Sequence, residues 1–300
     1  LGKIDAQHDT APLVEHSITT DQSTIGVAIQ YRLGPLGFLH TPNGNKNLGL
    51  YDQRNALLWI QRFIDGFGGD PARNTLFGES AGGYSICCHM LAQPTSPPLF
   101  NRVIIMSGVL GPMVCPVSEA TGLGIFSKIC KTSGIEEEGL EGLQRLKELD
   151  VMDLVRASDA YIGNGAFYPP IKDEFFFREG DITWDKIPKL LGDCEWVESF
   201  IVGCTGFEAS IHSSPINMNL TDAFKGAAYP TIANNLTPEK FHAHTSEQIS
   251  KAAADGLVEV YGVTPGMDHN KFAIAAMRWC GDVIFDGTFL RLVDMLALLN

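Results

Sequence analysis

Apolar positions change their spacing several times along the first third of the chain, and each change marks an element. Residues 25–31, IGVAIQY, are a short apolar run with β-branched members, which predicts a buried strand. The Gly/Pro-rich stretch RLGPLGFL follows. Residues 50–64, LYDQRNALLWIQRFI, place Leu50, Leu57, Leu58, Ile60 and Ile64 at helical spacing, and FGGDP at 67–71 stops that helix. NTLF at 74–77 predicts a short strand, GESAGG at 78–83 a glycine-bounded turn, and residues 84–92 a helix. VIIMS at 103–107 reads as a second buried strand, closed by Gly108. Strands alternating with helices predict βαβ units and an α/β fold with a mostly parallel central sheet flanked by helices.

Further along, residues 119–160 are helical in pattern and charged, with Glu136, Glu137 and Glu138 as a solvated face. FIVGC at 200–204 predicts another buried strand, and residues 237–300 are helical again. Neither a repeat nor an independent linker divides the chain. Residues 1–300 are therefore expected to form one domain, with 111–200 and 215–300 as mainly helical excursions from one sheet.

Composition narrows the function. With 45 % hydrophobic and 19 % charged residues, the chain can bury a sizeable core. Acidic residues outnumber basic ones 35 to 22, a net charge of −13, which disfavours nucleic acid as a partner. No apolar run is long enough to span a membrane, and no signal peptide is visible at the N-terminus. The seven cysteines form no CxxC pair, so a zinc ribbon or thioredoxin motif is unsupported, and they read as small apolar filler. Sequons at Asn219 and Asn235 lean towards secretion, whereas an odd cysteine count leans towards a reducing compartment or a missing partner thiol. Residue 1 is Leu, and the amphipathic helix at 289–299 stops without a C-cap glycine or a polar tail, so a segment of a longer protein is expected.

The chemistry centres on Gly78-Glu79-Ser80-Ala81-Gly82, which fits the nucleophile elbow G-x-S-x-G between a predicted strand and a predicted helix. In such a turn the serine stands in a strained conformation at its tip. Glycines two residues to either side, Gly78 and Gly82, let strand and helix approach without Cβ clashes. The helix then offers its positive end to the hydroxyl, and the N–H of Ala81 points where an oxyanion would develop. A structural Gly/Ser turn is the plainer alternative.

A nucleophilic serine needs a base and an orienting acid. The predicted strand 200–204 is followed by Thr205-Gly206-Phe207-Glu208, which makes Glu208 the candidate acid; alone, it would read as a solvated loop charge. The downstream histidines, His89, His212, His242, His244 and His269, do not follow a late strand in a way that would carry one over Ser80. Each reads as a surface or capping histidine.

These residues resemble the type-B carboxylesterase/lipase family, which includes cholinesterases and fungal lipases. FGESAGG at 77–83 resembles the family's serine signature, YRLGPLGFL at 31–39 its YRLG-x-x-GFL segment, and NLGLYDQRNALLWIQRFIDGFGGDP at 47–71 the segment that ends in FGGDP. Ser107-Gly108 is similar to the family's Gln-Ser-Gly, PPIKDEFF at 169–176 to its P-x-x-D-G region, and IVGCTGFEAS at 201–210 to the strand and loop that carry its acid. The resemblance implies an α/β-hydrolase fold, incomplete at both ends. It implies Ser80 as nucleophile, Ala81 as one oxyanion donor, Glu208 as triad acid and Glu79 as a buried glutamate organising hydrogen bonds beside the nucleophile. The family's upstream His-Gly-Gly segment and its catalytic histidine have no counterpart here, and they are expected outside residues 1–300. Gln30 stands where the family usually has asparagine, and Ala209 where it has glycine.

The expectation is thus a serine carboxylic ester hydrolase working through an acyl-enzyme on a small-molecule ester or lipid, with neither metal nor cofactor required. A catalytically inactive binding or adhesion relative of the same fold is the alternative from another class.

Overall fold

The computed structural model describes residues 9–111, 114–163, 167–177, 182–208, 238 and 251–298. Within them the first helices are α1 (Ala11–Thr19), α2 (Gly34–Phe38) and α3 (Leu48–Phe63). Strand β1 (Thr75–Glu79), helix α4 (Ala81–Leu91) and strand β2 (Arg102–Met106) follow. Next come α5 (Glu119–Thr132), α6 (Gly139–Glu148), α7 (Val151–Gly163), α8 (Ile187–Gly192) and β3 (Ser199–Gly203). The chain then passes through α9 (Lys251–Val260), α10 (His269–Gly281), a π turn over Asp282–Asp286, and α11 (Gly287–Leu298). Among the described residues, no helix is long and apolar enough to cross a membrane.

The sheet has the order β1-β2-β3, all parallel, as the strand–helix alternation predicts. Its register places Leu76, Val103 and Phe200 in one row and Gly78, Ile105 and Val202 in the next row on the same face. This face packs on α4 and feeds the main core, where Cys87, Cys88, Met90, Val103, Ile105 and Leu110 are buried. The other face carries the row Phe77, Ile104 and Ile201, and there Phe77 is 50 % and Ile201 60 % exposed. Parallel sheets are ordinarily covered on both faces. Here the described residues cover one.

Residues 25–31 depart from expectation. They form no ladder among the described residues, and Ile25 and Val27 are exposed. A strand exists only through a partner's N–H and C=O groups, and among the described residues the edge of β1 not paired to β2 holds no strand. The expected helix 50–64 forms as α3, buries Leu50 and Leu57, and ends in a 3₁₀ turn and the left-handed Gly68. The region 119–160 forms α5 to α7, with Glu136 and Glu138 exposed.

A buried polar staple fixes how α3 begins. Asn47 adopts a left-handed conformation, and its side chain donates to the Ile171 carbonyl (2.7 Å) and to Asp173 Oδ2 (2.7 Å). It accepts in return from the Ile171 N–H (2.9 Å). Left-handed φ is most readily tolerated by Gly and Asn, so a single asparagine both turns the chain and joins two segments far apart in sequence.

Candidate active site

The turn between β1 and α4 is a single residue, tighter than the predicted six. Ser80 has φ 52° and ψ −115°, a left-handed conformation that costs a non-glycine residue roughly 1–3 kcal/mol. Its backbone is held on both sides. The Ser80 N–H donates to the Met106 carbonyl (2.9 Å), and the Ser80 carbonyl accepts from the Tyr84 N–H (3.1 Å). Its hydroxyl does not cap the helix it precedes. The N–H of Ala81 opens α4, so it belongs to the first turn, which has no intrahelical acceptors.

Three glycines explain why the strained turn persists. A Cβ on Gly78 would lie 2.6 Å from the Gly82 carbonyl carbon. One on Gly83 would lie 2.5 Å from the Gly108 oxygen, and one on Gly108 would lie 2.1 Å from the Ser80 oxygen. Backbone meets backbone at each point. Gly82 differs from expectation, because a Cβ there would meet nothing within 4 Å. It is Gly78, Gly83 and Gly108 that the close approach requires.

One step beyond the last ladder row, Glu79, Met106 and Gly203, come Ser80, Ser107 and Cys204. All three stand at the carboxyl ends of their strands, the usual place for ligands on parallel sheets. Ser107 also has positive φ, 50°, and its N–H donates to the Gly203 carbonyl (2.8 Å). Its hydroxyl donates to Glu208 Oε1 at 2.6 Å. The same carboxylate oxygen accepts from the Thr205 N–H at 2.5 Å. Glu208 is half-buried, and the bond from Ser107 ties it to the row that holds Ser80.

Other expectations change. Glu79 is exposed, because it lies in the strand position that faces the uncovered side of the sheet. Cys87, Cys88, Cys130 and Cys194 are buried filler as expected, but Cys204 is exposed and its thiol donates to Asp286 Oδ1 (2.8 Å) on the π turn. Partial desolvation, then that bond and the charges of Asp286 and Glu208, push the thiol up to about 12. His89 is neither surface nor cap. It is 5 % exposed, donates from Nε2 to Gln53 Oε1 (2.9 Å), and burial with the nearby Arg54 charge pushes its pKa down to about 3. His40 is engaged by the Asn45 carbonyl (3.2 Å). His212, His242, His244, Ala209 and both sequons, Asn219 and Asn235, lie outside the described residues, as does the side chain of His269. Among the described residues, no cluster of three His, Cys, Asp or Glu side chains forms a metal site.

Two groupings escaped the reading of motifs, Ser107 with Glu208 and Gln53 with His89. The second left a trace: Gln53 is the polar member of the otherwise apolar stripe Leu50, Gln53, Leu57. A polar residue within a buried stripe signals a buried hydrogen-bond partner.

Known proteins share both the sequence and the architecture. Lipase 5 of Diutina rugosa is 31 % identical over 270 residues, covering 76 % of this chain and 49 % of that protein. The para-nitrobenzyl esterase of Bacillus subtilis is 39 % identical over 153 residues, 49 % of this chain and 30 % of that protein. This chain therefore spans about half the length, or less, of these relatives. A carboxylesterase structure from Geobacillus stearothermophilus superposes with a TM-score of 0.74 at 24 % identity, over 99 % of this chain and 57 % of that one. The shared architecture is the α/β-hydrolase fold, with a parallel sheet flanked by helices. The profile of the carboxylesterase family matches residues 5–299, and the chain belongs to that family.

Proposed function

We propose that the protein hydrolyses carboxylic esters of small molecules or lipids through an acyl-enzyme on Ser80. The observation that carries this reading is the strained one-residue turn at Ser80, braced by Gly108 beneath it and followed directly by the Ala81 N–H. Strain of this kind persists where the surroundings over-determine it, and it exposes an oxygen that a relaxed turn would bury or bond. Family membership supports ester hydrolysis as the class of reaction.

In this mechanism the Ser80 hydroxyl attacks the ester carbonyl while a histidine outside residues 1–300 takes its proton. Glu208, held by Ser107 and Thr205, orients that histidine and stabilises its cation. The Ala81 N–H and further donors, also outside these residues, bind the oxyanion. The histidine then protonates the leaving alcohol, and water attacks the acyl-enzyme to release the acid. Each oxyanion donor is worth about 10²–10³ in kcat, and a triad stripped of one member retains only about 10³–10⁴ over the uncatalysed rate. Residues 1–300 alone are accordingly expected to be nearly inert.

The test is the intact mass of the protein from its source after reaction with a fluorophosphonate. A mass well above that of the 300-residue chain, with one adduct on Ser80 that vanishes in Ser80→Ala, is the expected result. An unlabelled protein of 300 residues would overturn the enzyme reading in favour of a binding role.

A further inference from the structure

Gln53 sits on α3, 4 % exposed, with its carboxamide bonded on both sides. Its Oε1 accepts from His89 Nε2 (2.9 Å), and its Nε2 donates to Ser85 Oγ (3.1 Å). Ser85 in turn donates to the Ala81 carbonyl (2.8 Å). The acceptors and donors order themselves without freedom. A carbonyl oxygen can only accept, so His89 carries its proton on Nε2, and its Nδ1 is left buried without a partner. The amide nitrogen must then face Ser85.

Both ends of this chain of bonds lie on α4, at its first turn and its last, while the amide between them belongs to α3. We infer that Gln53 is a positioning residue for the Ser80 turn: through Ser85 it sets the first turn of α4, and with it Ala81, the residue that follows Ser80. The bond to the Ala81 carbonyl ties down the residue whose own N–H follows the Ser80 turn, at the positive end of the helix. The bond to His89 fixes the rotation of α4 about its own axis. A serine that merely bonded back to its i−4 carbonyl would do neither, since such bonds bend helices slightly and stabilise little. What distinguishes this one is the buried amide behind it. This inference deepens the ester-hydrolase reading and rests on it for its catalytic consequence, but not for its geometry.

Two measurements separate those parts. Amide hydrogen exchange over residues 84–88, whose N–H groups bond back to the first turn of α4, reads the geometry with no chemistry involved. In Ser85→Ala and in Gln53→Leu, exchange there is expected to rise roughly tenfold, the size of one neutral hydrogen bond. Ser85→Thr, which keeps the hydroxyl, is expected to restore the parent rate. In the natural-length protein, Ser85→Ala is expected to lower kcat and the rate of fluorophosphonate labelling about tenfold with KM unchanged, again restored by Ser85→Thr. Should Gln53→Leu fail to fold, the two Ser85 variants decide alone. Unchanged exchange in Ser85→Ala, or a loss that Ser85→Thr does not restore, would overturn the inference. A parent protein that never labels at Ser80 would instead sink the ester-hydrolase reading and leave the exchange result to decide the geometry.

Discussion

The two turns that carry the candidate chemistry are built by opposite means. The Ser80 turn is held by main chain pressed on main chain, at Gly78 against Gly82, Gly83 against Gly108, and Gly108 against Ser80. The Glu208 turn is held by side-chain bonds, from the Ser107 hydroxyl across to the next strand and from the Thr205 N–H. Backbone packing allows almost no adjustment, because no rotamer can relieve a clash. Hydrogen bonds to a half-buried carboxylate can lengthen or be replaced by water. Ser80 is therefore rigidly placed and Glu208 adjustably, which suits the roles proposed for them, a nucleophile that stays fixed and an acid that follows a histidine.

The largest expected effect falls on the rigid side. Gly83→Ala puts a Cβ 2.5 Å from the Gly108 oxygen, so the strand end or the helix must shift. A loss of at least ~2 kcal/mol in stability and a loss of Ser80 labelling are expected. Gly82→Ala, one residue earlier, meets open space and is expected to stay within ~1 kcal/mol of the parent, on the stabilising side, since Ala suits a helix better than Gly. Urea melts of the two variants side by side check this. Equal losses would mean that the close approach at Gly83 is not what holds the turn.

Acid should come next, and it should strike behind the same turn. His89 is buried neutral, with a folded pKa of about 3 against about 6.5 when unfolded. A depressed pKa means that the unfolded chain binds the proton first. Stability is therefore full above pH 6.5 and is lost as pH falls from there towards 3. At pH 5 this one group is expected to remove ~2 kcal/mol. His89→Leu strands Gln53 Oε1 and is expected to be less stable at neutral pH. Its urea midpoint should nonetheless fall less steeply between pH 6.5 and 4. An unchanged slope would assign the acid sensitivity to other groups.

What could be read from the amino acids follows the same division. The glycines around Ser80 and the apolar stripe of α3 are local patterns, and local patterns carry their own period and turn chemistry. That is why the strand, elbow, helix and second strand stand close to where they are expected, with the turn shortened to one residue. The pairing of Ser107 with Glu208 spans 101 residues, and that of Cys204 with Asp286 spans 82. Neither has a local signature, because each arises only when the sheet aligns the ends of β2 and β3 or the π turn docks against β3. Residues 25–31 fail for a related reason: an apolar, β-branched run states a preference for a strand, but pairing needs a neighbour. Gln53 lies between these cases. Its polarity within a buried stripe announced a partner, while the partner's identity, His89 and Ser85, needed the packing of α3 on α4.

The adjustable side should respond more gently. Ser107→Ala removes one hydrogen bond to a carboxylate and leaves the Thr205 N–H in place. A stability loss of roughly 1.5 kcal/mol is expected, at the low end for bonds to charged groups because Glu208 is half-buried. In the natural-length protein labelling at Ser80 should slow without vanishing. Ser107→Gly separates the bond from the backbone, since Ser107 has φ 50° and glycine adopts that region freely. The glycine variant is expected to be more stable than the alanine variant and equally slow in labelling. If glycine restored the labelling rate, strain at Ser107 and not its bond to Glu208 would govern the acid.

The smallest effect is expected at Cys204, which stands in the same row as Ser80 and Ser107 but bonds away from them. Its thiol is pushed up to about 12, and part of that rise comes from Asp286, which accepts its proton at 2.8 Å and repels the thiolate. Alkylation proceeds through the thiolate, so an exposed cysteine held this way should react slowly at pH 8 despite its accessibility. Asp286→Asn removes the carboxylate's charge and keeps the side chain's shape. The thiol pKa should fall, and iodoacetamide should label Cys204 several-fold faster. Ser80 labelling in the natural-length protein should not change, because Glu208 takes its bonds from Ser107 and Thr205, not from Cys204. A loss of Ser80 labelling in Asp286→Asn would mean that the Glu208 turn is held from the π turn as well as from the end of β2, and that it is less adjustable than its two hydrogen bonds make it.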